Sequence, residues 1–278
     1  MKKIAITGAT GLVGSRISEL LKNDFTFIPL NHGSVDITNA DSVKMALENL
    51  DYDLLLHCAG YTNVDKAETE KDIAHSLNVE ATRFLFEAAQ KQGKKFIYIS
   101  TDFVFDGTSD VSDENTVPNP VGYYGQTKYE GEQIVKDSAM IVRISYPYRA
   151  DYDKRSDFFR TIRSLLQQGK KINGITDSII TPTFIDDIAL GIKYLINNFK
   201  PEIFHLVGGD SMSPYDAFNS IAQIFNLDSS LVSQTTIGEF FQGKAKRPIN
   251  GKTVSIKNDF QPMRTFRDGL IEISASIK

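Results

Sequence analysis

Short apolar runs alternate with amphipathic segments over the first half of the chain. The apolar runs predict buried strands at residues 2–7, 25–30, 52–59, 95–100 and 140–144. Helical spacing of apolar positions predicts helices between them, at residues 15–22, 39–49 and 72–92 and from near residue 124 onward. Strands that alternate with helices are typical of an α/β fold, so the sequence predicts a doubly wound parallel sheet of the Rossmann type.

The pattern becomes less regular after residue 144. It predicts helices at residues 157–168, 186–197 and 214–225, and a returning strand at residues 202–207. We therefore predict a dinucleotide-binding domain at residues 1–144, with a returning segment at 179–208. Residues 145–178 and 209–278 are expected to form a smaller C-terminal substrate-binding lobe.

The composition limits the kinds of partner that this chain is expected to bind. The 278 residues carry a formal net charge of -4 and contain no Lys/Arg-rich block, so no nucleic-acid partner is expected. The apolar runs are short, which predicts no membrane segment and a cytoplasmic protein. Cys58 is the single cysteine, which excludes an internal disulfide and a cysteine metal cluster, and no metal site is expected.

A glycine-rich turn follows the first predicted strand directly. Gly8, Gly11 and Gly14 lie three residues apart, with Thr10 between the first two and the pair Leu12-Val13 before the last. This spacing suits a tight turn, close backbone approach to a pyrophosphate and a helix N-terminus directed at it. The turn predicts a dinucleotide site, although a glycine-rich connection without a ligand has the same appearance.

The end of the second predicted strand bears on cofactor preference. A site that prefers NAD often has Asp or Glu there, but this chain has Asn31 and His32. Arg16 lies in the first turn of the preceding helix and could reach a 2′-phosphate. We therefore predict NADP as the cofactor, with NAD not excluded. Asp36, a few residues on, is equally suited to cap the next helix or to bind the adenine amine.

Tyr124 and Lys128 are the main catalytic candidates. They are four residues apart at the start of a predicted helix and therefore share one of its faces. A nearby ammonium favours the phenolate, which would lower the tyrosine pKa from ~10 and make the phenol a general acid/base. Thr101 follows an apolar strand, so its hydroxyl is expected in the same crevice.

Several segments together resemble the extended short-chain dehydrogenase/reductases, and within them the dTDP-4-dehydrorhamnose reductase group. The resemblance covers nearly the whole chain. Its most specific parts are Ala59–Glu68, Ile99–Gly107, Tyr124-Gly125-x-x-Lys128, Gly131-Glu132 and Arg247-Pro248.

The resemblance implies roles for individual residues. Thr101 would bind the substrate carbonyl, Tyr124 would deliver a proton, and Lys128 would hold the nicotinamide ribose and tune Tyr124. Other contacts are implied to the pyrophosphate (Gly11, Leu12 and Val13), to the adenine (Asp36 and Ile37), to the cofactor channel (Ala59, Gly60 and Tyr61) and to the sugar (Asp102). It also implies a nucleotide-sugar substrate and a homodimer.

The chain departs from the group in the predicted substrate lobe. The chain has no tryptophan, and Tyr146 is expected to replace the group's sugar-stacking ring. The run 149–155 is unlike the group. Arg247 is expected either to bind a diphosphate or to lie in a solvated basic turn.

The expected activity is NAD(P)H-dependent reduction of the 4-keto group of a nucleotide-diphosphate sugar. A sugar-nucleotide dehydratase or epimerase is one alternative, but Phe103 follows Thr101-Asp102 where dehydratases typically carry Glu, and phenylalanine cannot move a proton. The other alternative is an NADP-binding regulatory subunit, because the β subunit of methionine adenosyltransferase resembles the same reductases.

Overall fold

A computed structural model describes residues 1–150 and 152–276 of the chain. Asp151, Ile277 and Lys278, which the predicted lobe includes, lie outside the described residues. The strands are β1 (Lys2–Thr7), β2 (Phe25–Leu30), β3 (Leu54–His57), β4 (Lys95–Thr101), β5 (Met140–Ile144), β6 (Pro147–Tyr148), β7 (Ile172–Ile175), β8 (Thr183–Phe184), β9 (Ile203–Leu206) and β10 (Val232–Thr235).

The helices alternate with these strands. They are α1 (Leu12–Leu20), α2 (Ala40–Glu48), α3 (Val64–Ala67), α4 (Lys71–His75), α5 (Ala81–Lys91), α6 (Tyr123–Val135), α7 (Phe158–Gln167), α8 (Ile185–Asn197), α9 (Pro214–Ile224), α10 (Ile237–Phe240) and α11 (Phe266–Ser276). No helix in the described ranges is long and apolar enough to cross a membrane.

A six-stranded parallel sheet has the order β2-β1-β3-β4-β5-β9. The chain passes from β1 outward to β2 and then returns to the opposite side of β1 to form β3. The sheet therefore has its topological switch point between β1 and β3, where ligands bind in doubly wound folds. The predicted doubly wound parallel sheet is confirmed.

Alternate residues of the buried strands enter two apolar layers. Ile4 and Ile6 of β1 pack in the layer that includes α1 and α8, while Ala5 packs in the layer that includes α2, α5 and α6. Because both faces of the sheet are covered, its strands consist of almost continuous apolar residues. This explains why the strand runs are easily recognised in the sequence.

A third apolar cluster lies apart from the sheet and joins β6, α7, α9 and α11. The rings of Tyr148 and Phe266 meet edge to face there, with centroids 5.0 Å apart. The parallel pair β7 and β10 borders this cluster. The strand β9 and the helix α8, which fall in the predicted returning segment, pack with the sheet instead. The division into two domains stays a prediction.

Two local expectations differ from the structure. The helix predicted at residues 72–92 is divided by a π-helical turn at Ser76–Glu80, because Asn78 there makes contacts outside the helix. Asp36 does not cap α2. The cap is Asn39, whose side chain accepts a hydrogen bond from Ser42 N, while Asp36 Oδ1 accepts from both the amide and the hydroxyl of Thr38.

Candidate active site

A cleft of about 1040 Å³ opens at the carboxyl ends of β1, β3, β4 and β5. All the predicted site residues except Asp36 line this cleft. They are Gly8, Thr10, Gly11, Leu12, Val13, Gly14, Ile37, Ala59, Gly60, Tyr61, Thr101, Asp102, Tyr124, Lys128, Tyr146 and Arg247.

The glycine turn forms the floor of the cleft beside β1. Gly8 has φ +68°, a left-handed conformation that favours glycine, and a Cβ on Gly14 would lie 2.4 Å from the Gly8 carbonyl oxygen. Gly11 caps α1 without a side-chain hydrogen bond. The open N-terminus of this nine-residue helix carries partial positive charge toward the cleft. The turn therefore fits the pyrophosphate of a dinucleotide.

Asn78 connects the loop after β3 to the helix that carries Tyr124. Its side chain is 1% exposed; Oδ1 accepts from Tyr61 N at 2.8 Å, and Nδ2 donates to Tyr61 O at 3.0 Å and to the Thr127 hydroxyl at 2.9 Å. A Cβ on Gly60 would lie 2.8 Å from Asn78 Oδ1. The interaction thus requires glycine at position 60 and holds α6 against the cleft.

The N-terminus of α6 is fixed from two directions. Gly122, at the cap position, supplies no side chain, and Glu68 Oε1 accepts a hydrogen bond from Tyr123 N at 2.8 Å instead. Gly125 lies in the first turn of α6, and a Cβ there would lie 2.2 Å from the Phe103 carbonyl oxygen. These contacts place Tyr124 directly beside the end of β4.

The Tyr124 phenol is buried at the cleft, with 8% of the residue exposed. Burial raises its pKa to about 12; the hydroxyl of Thr101 opposes the rise and the charge of Asp102 adds to it. The expectation that Lys128 would lower this pKa is therefore wrong in the structure. The phenol remains protonated near neutral pH, which suits it to donate a proton.

Lys128 is almost completely buried beneath the cleft. Its Nζ donates to the Ile99 carbonyl oxygen at 2.8 Å and lies 4.0 Å from the centroid of the Tyr98 ring. Burial lowers the pKa of Lys128 to about 7, while the charge of Glu132 opposes this effect. These interactions explain why Lys128 does not lower the pKa of Tyr124: its ammonium is directed to Ile99.

Asp102 is also buried, and its carboxylate joins two elements of the cleft. Oδ2 accepts from the Ser145 hydroxyl at 2.7 Å, and Oδ1 accepts from the Thr101 hydroxyl at 3.1 Å. Burial raises the pKa of Asp102 to about 6 despite these hydrogen bonds. The carboxylate orients the Thr101 hydroxyl. Thr101 lines the same cleft as Tyr124, as the sequence predicts.

Two predicted substrate residues line the opposite side of the cleft. Tyr146 has φ +38°, an unfavourable conformation for a bulky residue, and its ring lies between those of Phe103 and Phe158. Arg247 Nη2 lies 2.8 Å from Asp65 Oδ1, and the guanidinium stacks on the Phe241 ring at 3.7 Å. Since its side chain is only 12% exposed, Arg247 does not belong to a solvated basic turn.

The adenosine end of the predicted cofactor site differs from expectation. Asp36 lines a smaller depression next to the cleft, and Ile37 and His32 line both. Arg16 is not among the residues that line either one. Its guanidinium forms a bidentate pair with Asp186 on α8, at 2.6 and 2.7 Å, so the proposed contact with a 2′-phosphate is contradicted. Local sequence spacing could not reveal this partner 170 residues away.

Other residues that shape the cleft were missed as site residues. Glu70 accepts a hydrogen bond from the predicted residue Tyr61, and Glu68 and Asn78 position the helix and the loop beside it. Arg155, Ser156 and Phe241 line the cleft from the C-terminal part of the chain. Glu68 lies in the motif Ala59–Glu68 and could have been found there. The remainder depend on contacts between residues distant in sequence.

The chain was compared with known families and proteins. The family model described as the RmlD substrate binding domain matches residues 1–277. The dTDP-4-dehydrorhamnose reductase of Aggregatibacter actinomycetemcomitans is 30% identical over 267 residues, with 90% of each chain covered. Methionine adenosyltransferase 2 subunit beta of Xenopus tropicalis is 31% identical, covering 82% of this chain and 74% of its own.

A solved structure supports the same comparison. A dTDP-4-dehydrorhamnose reductase from Bacillus anthracis in complex with NADP superimposes with a TM-score of 0.92 at 31% identity. Each chain is covered over 99% of its length. The similarity therefore extends through both the sheet and the C-terminal elements.

Proposed function

Because the chain belongs to the RmlD substrate binding domain family, we propose that it is an NADP-dependent reductase that acts on the 4-keto group of a nucleotide-diphosphate sugar. The observation that carries this proposal is the position of Thr101, Tyr124 and Lys128 in one cleft with the glycine turn. A proton donor, a carbonyl-binding hydroxyl and a dinucleotide site therefore face the same space. The similar reductases from Aggregatibacter and Bacillus support the substrate class.

The cofactor assignment is NADP. The B. anthracis reductase was solved in complex with NADP. In this chain the glycine turn would hold the pyrophosphate, and Lys128 would hold the nicotinamide ribose, since its Nζ lies close to both Ile99 O and Gly60. The bound cofactor would supply the hydride. No carboxylate at the end of β2 stands to repel a 2′-phosphate, because the residues there are Asn31 and His32.

The protonated Tyr124 would act on the oxygen of the keto group. As the carbonyl carbon is reduced, its oxygen gains negative charge, and the neutral phenol donates a proton to it. The Thr101 hydroxyl would exchange its hydrogen bond to Asp102 for one to the same oxygen and stabilise the developing charge. Lys128, whose ammonium is directed to Ile99, would orient the nicotinamide ribose and not tune the phenol. The geometry thus divides proton donation, orientation and charge stabilisation among three side chains.

A regulatory subunit is the second candidate function, and the 31% identity with the methionine adenosyltransferase subunit favours it. Such a subunit would not need proton transfer at Tyr124. The two candidates differ in an assay of NADPH oxidation with a panel of nucleotide-diphosphate 4-keto sugars. Turnover with any member supports the reductase. Binding of NADPH without turnover, together with a stable complex with a methionine adenosyltransferase catalytic subunit, would instead establish the regulatory role.

A dehydratase or epimerase is the weaker alternative. Phe103 directly follows Asp102 and its ring packs edge to face against Tyr124, with centroids 5.6 Å apart. It therefore places an apolar group where a dehydratase would need a second acid. Incubation with a nucleotide-diphosphate sugar that carries a 4-hydroxyl, in the presence of catalytic NAD, would test for elimination of water. A homodimer, also implied by family membership, is tested by light scattering of the purified protein.

A further inference from the structure

The described residues between β6 and α7, 149–150 and 152–157, form a segment that contacts the glycine turn. The Tyr152 hydroxyl donates to the Thr10 carbonyl oxygen at 2.8 Å, across 142 positions in sequence. Arg149, which is 4% exposed, donates to the Ser15 hydroxyl at 2.9 Å and pairs with Glu19 at 2.7 Å. The segment is thus attached to both the turn and α1. It also belongs to the run that is unlike the reductase group.

The other end of this segment is fixed by α7. Asp157 caps the helix and pairs with Arg160 Nε at 2.9 Å, and Arg160 also donates to the carbonyl oxygens of Tyr152 and Arg155. The Arg149 guanidinium lies 4.6 Å from the centroid of the Tyr152 ring. Because the backbone on each side of Arg155 is held, its side chain is presented at a defined place on the rim of the cleft.

The charges at the cleft single out Arg155. Lys66 is paired with Glu70, Lys128 is buried on a carbonyl, and Arg247 is paired with Asp65. Arg155 lines the same cleft, yet within residues 1–150 and 152–276 no carboxylate pairs with its guanidinium. An exposed guanidinium that lines the same cleft as the N-terminus of α1 suits a ligand with at least two phosphate oxygens.

We propose that Arg155 binds a diphosphate in this cleft, positioned by the contacts of Arg149 and Tyr152. This inference rests on the proposed function, because both the dinucleotide cofactor and the nucleotide-sugar substrate carry a diphosphate. The hydrogen bond from Tyr152 to Thr10 connects this segment to the glycine turn, where the cofactor's diphosphate is expected. The amides at the N-terminus of α1 carry only partial positive charge, so Arg155 would add a full positive charge on a flexible side chain.

Binding measurements with the purified full chain test the proposal. Arg155→Gln removes the charge at an exposed position, so the variant is expected to fold. The probes are NADPH, ADP-ribose and dTDP, each titrated by calorimetry. A charge-assisted contact predicts a loss of affinity of about tenfold or more. A loss for NADPH and ADP-ribose assigns Arg155 to the cofactor, and a loss for dTDP assigns it to the substrate.

Lys154→Gln is the matched control, because Lys154 is exposed on the same segment but does not line the cleft. It should leave all three affinities within about twofold. Arg155→Lys should retain part of the binding, since it keeps the charge but loses bidentate geometry. Tyr152→Phe should weaken the same probe as Arg155→Gln by a smaller factor.

Two outcomes would overturn the inference. One is equal affinity of wild type and Arg155→Gln for all three probes, and the other is an equal loss in the Lys154→Gln control, which would indicate general electrostatics. Both outcomes presuppose that the wild type binds NADPH. If the wild type binds neither NADPH nor ADP-ribose, the proposed function itself fails, so the two failures are distinguishable.

Discussion

The two sides of the cleft are built in different ways. The side formed by the glycine turn, Thr101, Tyr124 and Lys128, here called the catalytic wall, is held by close backbone contacts and is largely buried. The side formed by Tyr146, Arg155, Phe241 and Arg247, here called the lobe wall, is held by side-chain contacts, of which those of Arg247 with Asp65 and of Tyr146 with Phe103 join distant segments.

This difference separates chemistry from recognition. In the catalytic wall, burial changes the pKa of Tyr124 and Lys128 in opposite senses, raising the first and lowering the second. In the lobe wall, Arg155 is exposed, and Arg247 is held by side-chain partners that a ligand could replace. We therefore expect substitutions in the catalytic wall to affect turnover and stability, and substitutions in the lobe wall to affect affinity.

The largest expected effect is on turnover. Tyr124→Phe removes the proton donor but keeps the ring that packs against Phe103. We expect kcat to fall by about 10²- to 10⁴-fold, the usual contribution of a general acid, while the Kd for NADPH changes little. Steady-state kinetics with a keto-sugar substrate and a fluorescence titration of NADPH measure the two quantities. Turnover close to wild type would remove Tyr124 from the mechanism.

The next effect contrasts two glycines. Gly14→Ala would place a Cβ 2.4 Å from the Gly8 carbonyl oxygen, so α1 or the turn must move. We expect a loss of about 1–3 kcal/mol in stability, together with weaker NADPH binding. Gly238→Ala is the control, because nothing lies within 4 Å of its added Cβ and it lies in α10.

The control should be neutral, or more stable by up to about 1 kcal/mol, since alanine restricts the unfolded chain. Thermal melting of both variants with and without NADPH provides the measurement. If Gly14→Ala melts like the wild type and keeps its response to NADPH, the close packing of the turn does not determine cofactor binding.

The contrast between the walls also explains what could be predicted from the sequence. Strands buried on both faces are apolar throughout, and glycines in tight turns are constrained by their nearest neighbours, so both leave local patterns. The glycine turn and the pair Tyr124 and Lys128 were therefore found. Thr101 lies in the cleft because it ends β4 at the edge of the sheet where the neighbouring parallel strands also end.

The rest depends on partners that no local pattern identifies. The sequence predicts that Arg16 can reach a 2′-phosphate, but Asp186 of α8 binds it. The pKa of Tyr124 was expected to fall. That expectation was wrong because the sequence shows neither the burial of Tyr124 nor the hydrogen bond from Lys128 to Ile99. Arg155 lay in a run with no family counterpart. Each case needed the tertiary structure, since the deciding contact joins distant segments.

Lys128 should make stability depend on pH. Its folded pKa is about 7, below the ordinary value of 10.5, so the folded state binds the proton less well than the unfolded state. The resulting contribution to stability is fully present above pH 10.5 and is lost as pH falls towards 7. Lys128→Met removes this penalty. We expect the variant to gain about 1–3 kcal/mol relative to wild type at pH 6.5, and less at pH 9.

Denaturant unfolding at the two pH values gives this difference. Lys154→Met, which alters an exposed lysine outside the cleft, controls for general charge effects and should show no such pH dependence. A gain for Lys128→Met that is equal at pH 6.5 and pH 9 would show that folding does not lower the pKa of Lys128.

The smallest effect concerns Arg247 and decides whether the lobe wall binds substrate directly. Arg247 is paired with Asp65, stacked on Phe241 and hydrogen bonded to the Ala245 carbonyl oxygen at 2.8 Å, so it could serve as a diphosphate ligand or only as a brace for its loop. If it is a ligand, Arg247→Ala should raise KM for the sugar nucleotide by about tenfold, equivalent to ~1.4 kcal/mol, with little change in kcat.

Asp65→Asn distinguishes the two roles, because the neutral amide can still accept a hydrogen bond from Ala245 N but no longer neutralises the guanidinium. For a ligand, the released charge should leave KM unchanged or lower it by a fewfold. For a brace, Asp65→Asn should raise KM in the same direction as Arg247→Ala, because both break the pair that fixes the loop. Opposite signs in the two variants therefore identify Arg247 as a substrate contact, and equal signs restrict the recognition of phosphate in this wall to Arg155.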